Sequence, residues 1–263
     1  MLSTRPLSGD VRMRCSSIFA MLDMMMVFAD FLRGRRRDLL SAQDLEALEA
    51  AVADVRNLPP RKTFISRDQN ITTSTYLLEG VMCRYMDDRQ GERQLVAVHV
   101  AGDFVDLHGY PLGHLDHDLA TLTACRVALV PHVALDHLVA TRPALTKLLW
   151  FSTLLDAAMH REWIFRLGRL DAIARISHFF CETEARLRAI GRSDGSHFTL
   201  PMTQADLGEA CGITSVHMNR MLRDLKDRNL LAMHRHDVEI RDRKGLERLG
   251  EFDPAYLFLE EQN

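Results

Sequence analysis

The chain has 263 residues, with 33 Lys and Arg against 36 Asp and Glu, a formal net charge of −3 and 47% hydrophobic residues. That length makes room for about two domains, and the charge excludes a protein that coats nucleic acid through bulk positive charge, though not a specific reader that is only locally basic. Five cysteines (Cys15, Cys83, Cys125, Cys181 and Cys211) are odd in number, scattered and never in a C-x-x-C arrangement, which argues against a disulfide framework or iron–sulfur spacing and for buried, reduced thiols in a cytoplasmic protein.

Residues 1–37 read as an N-terminal arm. Its apolar run, Ile18 to Leu32, is flanked by Arg12 and Arg14 before it and by the arginines of Arg33–Arg37 after it. It is shorter than the roughly 20 residues of a membrane span, contains Asp23 and Asp30, and lacks a small-residue cleavage site. A docking helix or upstream arm is expected, with no membrane partner; a membrane or signal role and a start among Met24–Met26 are the other readings. The arginine cluster reads as a solvated helix end, with a DNA-backbone contact as the alternative.

Residues 38–140 read as a β-roll. Ser41 and Asp44 open a helix with Leu45, Leu48, Val52 and Val55 along one side, and Pro59-Pro60 ends it. Short strands follow: Phe64-Ile65, Tyr76–Leu78, Val81–Tyr85, Leu95–Val100, Leu119–Thr123 and Cys125–Val130. Turn signals at Glu79-Gly80, Asp88–Gly91 and Ala101-Gly102-Asp103 separate several of them. Many short strands at near-regular spacing predict a jelly roll.

Thr141 is the expected cap of a helix over Arg142–Leu167, within a dimerisation segment of residues 141–168, and Pro143 lies in its first turn. At ~1.5 Å per residue this helix is about 39 Å long. Leu145, Leu148, Ser152, Leu155 and Met159 form a near-heptad stripe, the candidate dimer interface; Phe151, Leu154, Ala158 and Phe165 form a second face. One stripe is expected against the chain's own roll and the other against a partner's helix, with a long core helix within a monomer as the alternative. A break near Gly168 precedes a helix over Arg169–Arg188 with Leu170, Ile173, Ile176 and Phe180 inward. A polar loop, Gly191–Ser196, completes the approach to the last unit.

Residues 169–245 read as a winged helix-turn-helix domain, and 246–263 as a tail. Thr203 and Asp206 have capping-box spacing for a helix over Gln204–Cys211. Gly208 stands where a second helix crosses closely, Gly212 provides a positive-φ stop, and Ile213 fills the corner. Thr214 or Ser215 caps the second helix, which runs to about Arg228 with Met218, Met221, Leu222 and Leu225 inward. Its other face presents Ser215, Val216, His217, Asn219, Arg220 and Arg223. Leu230–His234 and Val238–Arg241, around Arg235-His236-Asp237, predict a hairpin wing. From Thr214 to Arg248 nine Lys and Arg face six Asp and Glu, so this end is locally basic. The partner this pattern points to is double-stranded DNA.

The order roll, long helix, winged helix-turn-helix resembles the Crp/Fnr family of bacterial transcription regulators over about Met26 to Gly245. The resemblance is carried by HVAGDFVDLHG, LTACRVALV, LGRLDAIARISHFF and LPMTQADLGEACGITSVHMNRMLRDLKDRNLL. It implies an α+β chain that forms a cytoplasmic homodimer, binds a near-palindromic operator and contacts RNA polymerase. It also implies that Ser215, Val216 and Arg220 hold the principal base-reading positions. The middle one is commonly Glu in the family, and Val216 can instead touch a thymine methyl group. Arg220 is the candidate for bidentate contact to guanine. His217 can reach a base edge or phosphate, and Thr203, Gln204 and Thr214 can meet phosphates. Asn219 and Arg223 read equally as base or backbone contacts and as a solvated face.

The departures bear on the roll. Cyclic-AMP-binding members carry an Arg-Ser pair and a Gly-Glu pair there, whereas here no Lys or Arg occurs between Gln94 and Cys125, and the corresponding stretches read Val105-Asp106-Leu107 and Leu115-Asp116-His117-Asp118. A buried anion among carboxylates is repelled, so cyclic-nucleotide binding is not expected. The oxygen-sensing branch needs an N-terminal cysteine cluster, and Cys15 stands alone. His160 and Arg161 fall where nucleotide-binding members place a hydroxyl pair. Asp106, His108, His117, His160 and Arg161 are therefore the candidate effector-pocket residues, with the effector unknown. His99, His108, His114, His117, Asp103, Asp106, Asp116 and Asp118 crowd one stretch, and a metal-, haem- or pH-responsive roll is the alternative reading, with His114 and His117 as weak ligand candidates. No tight ligand signature is present, so no cofactor is expected. A cupin-type metalloenzyme lacks its His-x-His…Glu set, and no nucleophilic triad is in evidence. A roll serving a partner enzyme leaves the last third unexplained. No enzyme is expected.

Overall fold

The computed structural model describes residues 27–260; Cys15, Met24–Met26 and most of the Ile18–Leu32 run lie outside the described residues. A short 3-10 helix at Arg37–Leu39 leads to α1 (Ala42–Ala50), whose cap Ser41 accepts from the Asp44 backbone N–H. The expected continuation of this helix to Pro59 is corrected. The chain leaves it at Ala51, and β1 (Asp54–Leu58) pairs antiparallel with β7, from Asp54 opposite Leu129 to Leu58 opposite Cys125. Val52 and Val55 mimic helical spacing, but β-branched residues also suit a strand, and the free edge of β7 decides the matter.

Seven strands make the roll: β1, β2 (Thr63–Ile65), β3 (Thr73–Glu79), β4 (Met82–Asp87), β5 (Arg93–His99), β6 (Asp118–Thr121) and β7 (Cys125–Pro131). They form two sheets, ordered β1-β7-β3 and β2-β6-β4-β5. Leu77, Met82, Leu115, Leu119 and Val127 fill the core between them. One turn of helix, α2 (Gly109–Leu112), interrupts the β5–β6 connection.

The helix α3 (His132–Thr141) precedes the long α4 (Pro143–Arg169), so Thr141 ends one helix rather than capping the next. Its hydroxyl donates to the carbonyl of His137 at 2.7 Å. The break after α4 falls at Leu170, and Asp171 caps α5 (Ala172–Ala189) by accepting from the Ala174 N–H. No helix among the described residues is long and apolar enough to cross a membrane.

The stripe assigned to a partner faces inward. Leu145, Leu148 and Leu155 are buried in their own chain, in a core with Phe28, Phe31, Leu48, Tyr76 and Phe104; Ser152 and Met159 are half-buried. The aromatic rings of Phe28, Tyr76 and Phe104 pack with centroids 4.5–5.8 Å from one another. Periodicity shows which residues share a face but not which neighbour covers it. Here the neighbour is the segment around Phe28, whose place against the roll has no local signature. Trp150, Leu154, Ile164 and Phe165 are left exposed instead.

Beyond α5 come β8 (His197–Thr199), α6 (Gln204–Cys211), α7 (Ser215–Asp227), β9 (Leu231–His234), β10 (Asp237–Ile240) and α8 (Arg243–Leu249). The residues read as a tail are packed: Leu246, Phe252 and Leu257 join the core built around α5. His178 of α5 bonds to the Gly250 carbonyl at 3.0 Å, and buried Arg35 donates to the Leu257 carbonyl at 3.0 Å.

Candidate nucleic-acid interface

The helix pair is specified locally. Thr203 Oγ1 accepts from the Asp206 N–H at 3.2 Å while Asp206 returns a bond to the Thr203 N–H at 2.7 Å, the reciprocal capping box. Gly212 ends α6 in the left-handed region, φ 64°. A Cβ on Gly208 would stand 2.6 Å from the Ile213 carbonyl oxygen, so it is the turn itself that needs the missing side chain. Thr214, rather than Ser215, caps α7 by accepting from the His217 N–H. Met218 and Leu225 are fully buried beneath it, and Met221 and Leu222 half-buried.

The opposite edge of α7 faces outward. Thr214, Ser215, Val216, Arg220 and Arg223 are exposed, Val216 at 80%, as are Thr203 and Gln204 at the start of α6. His217 and Asn219 are half-buried. Asn219 donates its amide N–H to Gln204 Oε1 at 2.9 Å, cross-linking the two helices. The wing is β9 and β10, paired from Leu231–Ile240 to His234–Asp237 around a two-residue turn in which Arg235 has φ 54°. Sequence reading missed its third strand, β8, which pairs with β10. The signal was present: Phe198 is buried between exposed His197 and Thr199, the alternation of a half-buried strand.

The roll grips this unit from behind. Arg61 makes a bidentate pair with Asp206, the capping-box partner of Thr203 in α6. Arg93 lies 2.7 Å from Glu209 and 3.6 Å from Asp206. Burial alone would push the Asp206 carboxyl up, but bonds from Arg61 and Thr203 outweigh it and hold it below the usual carboxylate range. These contacts bind α6 to the roll and leave the outer edge of α7 free.

The profile of the Crp-like helix-turn-helix domain matches residues 174–249. The chain is 24% identical over 207 residues to the transcriptional activator protein FnrA of Stutzerimonas stutzeri, covering 79% of this chain and 84% of that protein. It is 27% identical over 186 residues to the nitrogen fixation regulation protein FixK of Bradyrhizobium diazoefficiens, covering 70% and 76%. The chain thus carries a Crp-like helix-turn-helix domain and is similar over most of its length to transcription regulators of the Crp/Fnr type. Among solved structures, FixK2 from Bradyrhizobium japonicum shares its fold with a TM-score of 0.69 at 22% identity, covering 75% of this chain and 97% of that one.

The roll departs from the sequence reading in holding a buried cation. Arg84, on β4 and 2% exposed, donates from Nε and Nη2 to the Val105 carbonyl at 2.8 and 2.6 Å. Its Nη1 donates to Asp156 Oδ2 on α4 at 2.7 Å. Arg84 precedes the Gln94–Cys125 stretch in sequence, and β4 comes beside the β5–β6 region only through the fold. Asp106 is fully buried, accepts from the Thr75 N–H at 2.6 Å, and is pushed up to about 6 by burial.

The five pocket candidates do not all meet. Asp106, His108 and His117 lie within the field of Arg84, and the charge of His160 acts on His117. Arg161 is exposed on another side of α4, beside Trp150, Leu154 and Phe258. His114 is exposed as well and does not join His117. In a non-helical segment a spacing of three puts side chains on opposite sides. Between β5 and α4 the cavity lined by His99, Asp156, Met159 and His160 measures only about 10 Å³, room for at most about one water.

His99 is 2% exposed, and neither ring nitrogen has a hydrogen-bond partner. Nδ1 stands 3.5 Å from Asp103 Oδ2. Burial, reinforced by Arg84, pushes His99 down to about 4 from 6.5, and His108 likewise falls to about 3. Between those limits the unfolded chain takes up protons that the folded chain refuses. Their contribution to stability is therefore complete above pH 6.5 and drains away as the pH falls towards 4. Asp106 opposes this, since the folded chain protonates it first as pH falls through about 6. The urea midpoint is expected to be lower at about pH 5 than at about pH 7.5, and His99→Leu is expected to shrink that difference. An undiminished difference in the variant would remove His99 from the account.

Proposed function

We propose that two copies of this chain pair along α4 and read a near-palindromic operator, each inserting the exposed edge of α7 into the major groove. The observation that carries the reading is that edge: Ser215, Val216 and Arg220 stand exposed at the start and middle of a capped helix whose other face is buried. In this arrangement Arg220 supplies paired donors to guanine O6 and N7, and Val216 an apolar contact to a thymine methyl group. Thr203, Gln204 and Thr214 meet phosphates, His217 and Arg223 extend the contact, and Asn219 keeps Gln204 in place.

The pairing surface is the face of α4 that its own chain leaves uncovered. Lys147, Trp150, Leu154, Ala157, Arg161 and Ile164 alternate at spacings of three and four, the seam of a two-stranded coiled coil. Trp150 is 65% exposed, Leu154 55% and Ile164 73%, and burying them accounts for apolar surface that a monomer would leave wet. Cyclic AMP does not belong in this scheme: Arg84 is committed to Asp156 and Val105, and the adjoining cavity is water-sized. Contact with RNA polymerase, in the cytoplasm, completes the reading.

Selection from random duplexes tests it. Enrichment of a two-fold symmetric site, with half-sites about one helical turn apart, is expected. Recovery of a single asymmetric half-site, or of no motif, would overturn it.

A further inference from the structure

Two imidazoles in the roll face each other with lone pairs that no group among the described residues uses. His117 Nδ1 lies 2.8 Å from Asp116 Oδ1. A carboxylate only accepts, so the proton sits on Nδ1 and Nε2 is left bare. That Nε2 is buried without a hydrogen-bond partner, and His117 as a whole is 6% exposed. His108 Nδ1 is buried and unpartnered too. The two rings are 5.3 Å apart between centroids and tilted by 30°. One donor atom from each of His108, Asp116 and His117 falls within 4.8 Å of the other two.

Buried polar atoms are ordinarily satisfied, and orphaned ones call for an explanation. A divalent transition metal is the ligand that accepts lone pairs from two neutral imidazoles together. A histidine held by a carboxylate at one nitrogen and bare at the other is also the form in which metal-ligating histidines are oriented. The nearby guanidinium of Arg84 does not forbid a cation, because Asp156 neutralises it at 2.7 Å.

We propose that His108 and His117 bind one divalent transition-metal ion of the imidazole-preferring class, with Asp116 holding the His117 ring through Nδ1 and the remaining positions open to solvent. Asp116, with its side chain 81% exposed, brings water to the site. The place is the β5–β6 connection, beside the buried Arg84–Asp156 pair that ties the roll to α4, so metal occupancy bears on the joint between sensor and helix.

The test uses the untagged full-length protein, stripped with chelator and titrated with Zn(II) in competition with a chromophoric chelator. One ion per chain is expected, with His108→Ala and His117→Ala each weakening binding at least about tenfold. His114→Ala, altered at an exposed neighbour, is expected to bind as the parent does. Co(II) substitution is expected to give visible bands that His117→Ala loses. Should the histidine variants fail to fold, Asp116→Asn, altered at the surface, serves in their place with the same expected weakening. Absence of stoichiometric Zn(II) in the parent would overturn the proposal, as would equal affinity in parent and folded variants. None of these readouts involves DNA, so failure here leaves the operator reading standing, and the reverse.

Discussion

Arg220→Ala is expected to weaken binding to the selected duplex by about 1–3 kcal/mol per half-site and to relax preference at one base pair in each half. Arg220 is exposed on α7, and no hydrogen bond or ion pair within the chain engages its guanidinium among the described residues. Nothing in the fold is lost with it, so the melting temperature should stay within the range of ordinary surface substitutions. Gln204→Ala provides the contrast. Gln204 lies at the start of α6 and accepts from Asn219, so its loss should lower affinity for all sequences alike. Fluorescence anisotropy on the selected duplex and on single-base variants separates the two patterns. An Arg220→Ala protein with unchanged affinity and unchanged preference would remove the assignment.

Leu154→Asp is expected to convert a dimer to a monomer in sedimentation equilibrium. Operator affinity should fall by roughly 10³-fold or more, towards the non-specific level, because each half-site alone offers half the contacts. A carboxylate at the centre of an apolar seam would be desolvated without a partner. Leu148→Ala is the control: it is 4% exposed and packs within its own chain, so it should cost about 2–5 kcal/mol of stability without changing the association state. If Leu154→Asp remained dimeric, or if Leu148→Ala dissociated a folded dimer, the exposed seam would not be the interface.

The helix-turn-helix was legible because its determinants are local. A capping Thr with Asp three residues on and a glycine at the stop sit within ten residues of sequence and recur with the expected bonds and dihedral angle, while Gly208 is needed by the turn rather than by a crossing helix. The six strands read between Phe64 and Val130 recur within a few residues, since alternation and turn residues mark them. What was not legible depended on distant partners. Val55 became a strand residue because β7 offered an edge. Leu145, Leu148 and Leu155 became core because the segment around Phe28 covers them. Arg84 entered the roll's interior from a strand that no motif connects to Asp106 or His117. His108 rather than His114 stands by His117, because one-dimensional spacing of three carries no direction without a helix.

The central claim, that α7 enters the major groove twice per dimer, is tested most directly by guanine N7 methylation interference on the selected duplex. Two interfering guanines are expected, one in each half and about one helical turn apart, and both should cease to interfere when Arg220→Ala replaces the parent protein. Interference in one half only, at no guanine, or unchanged in Arg220→Ala would contradict it.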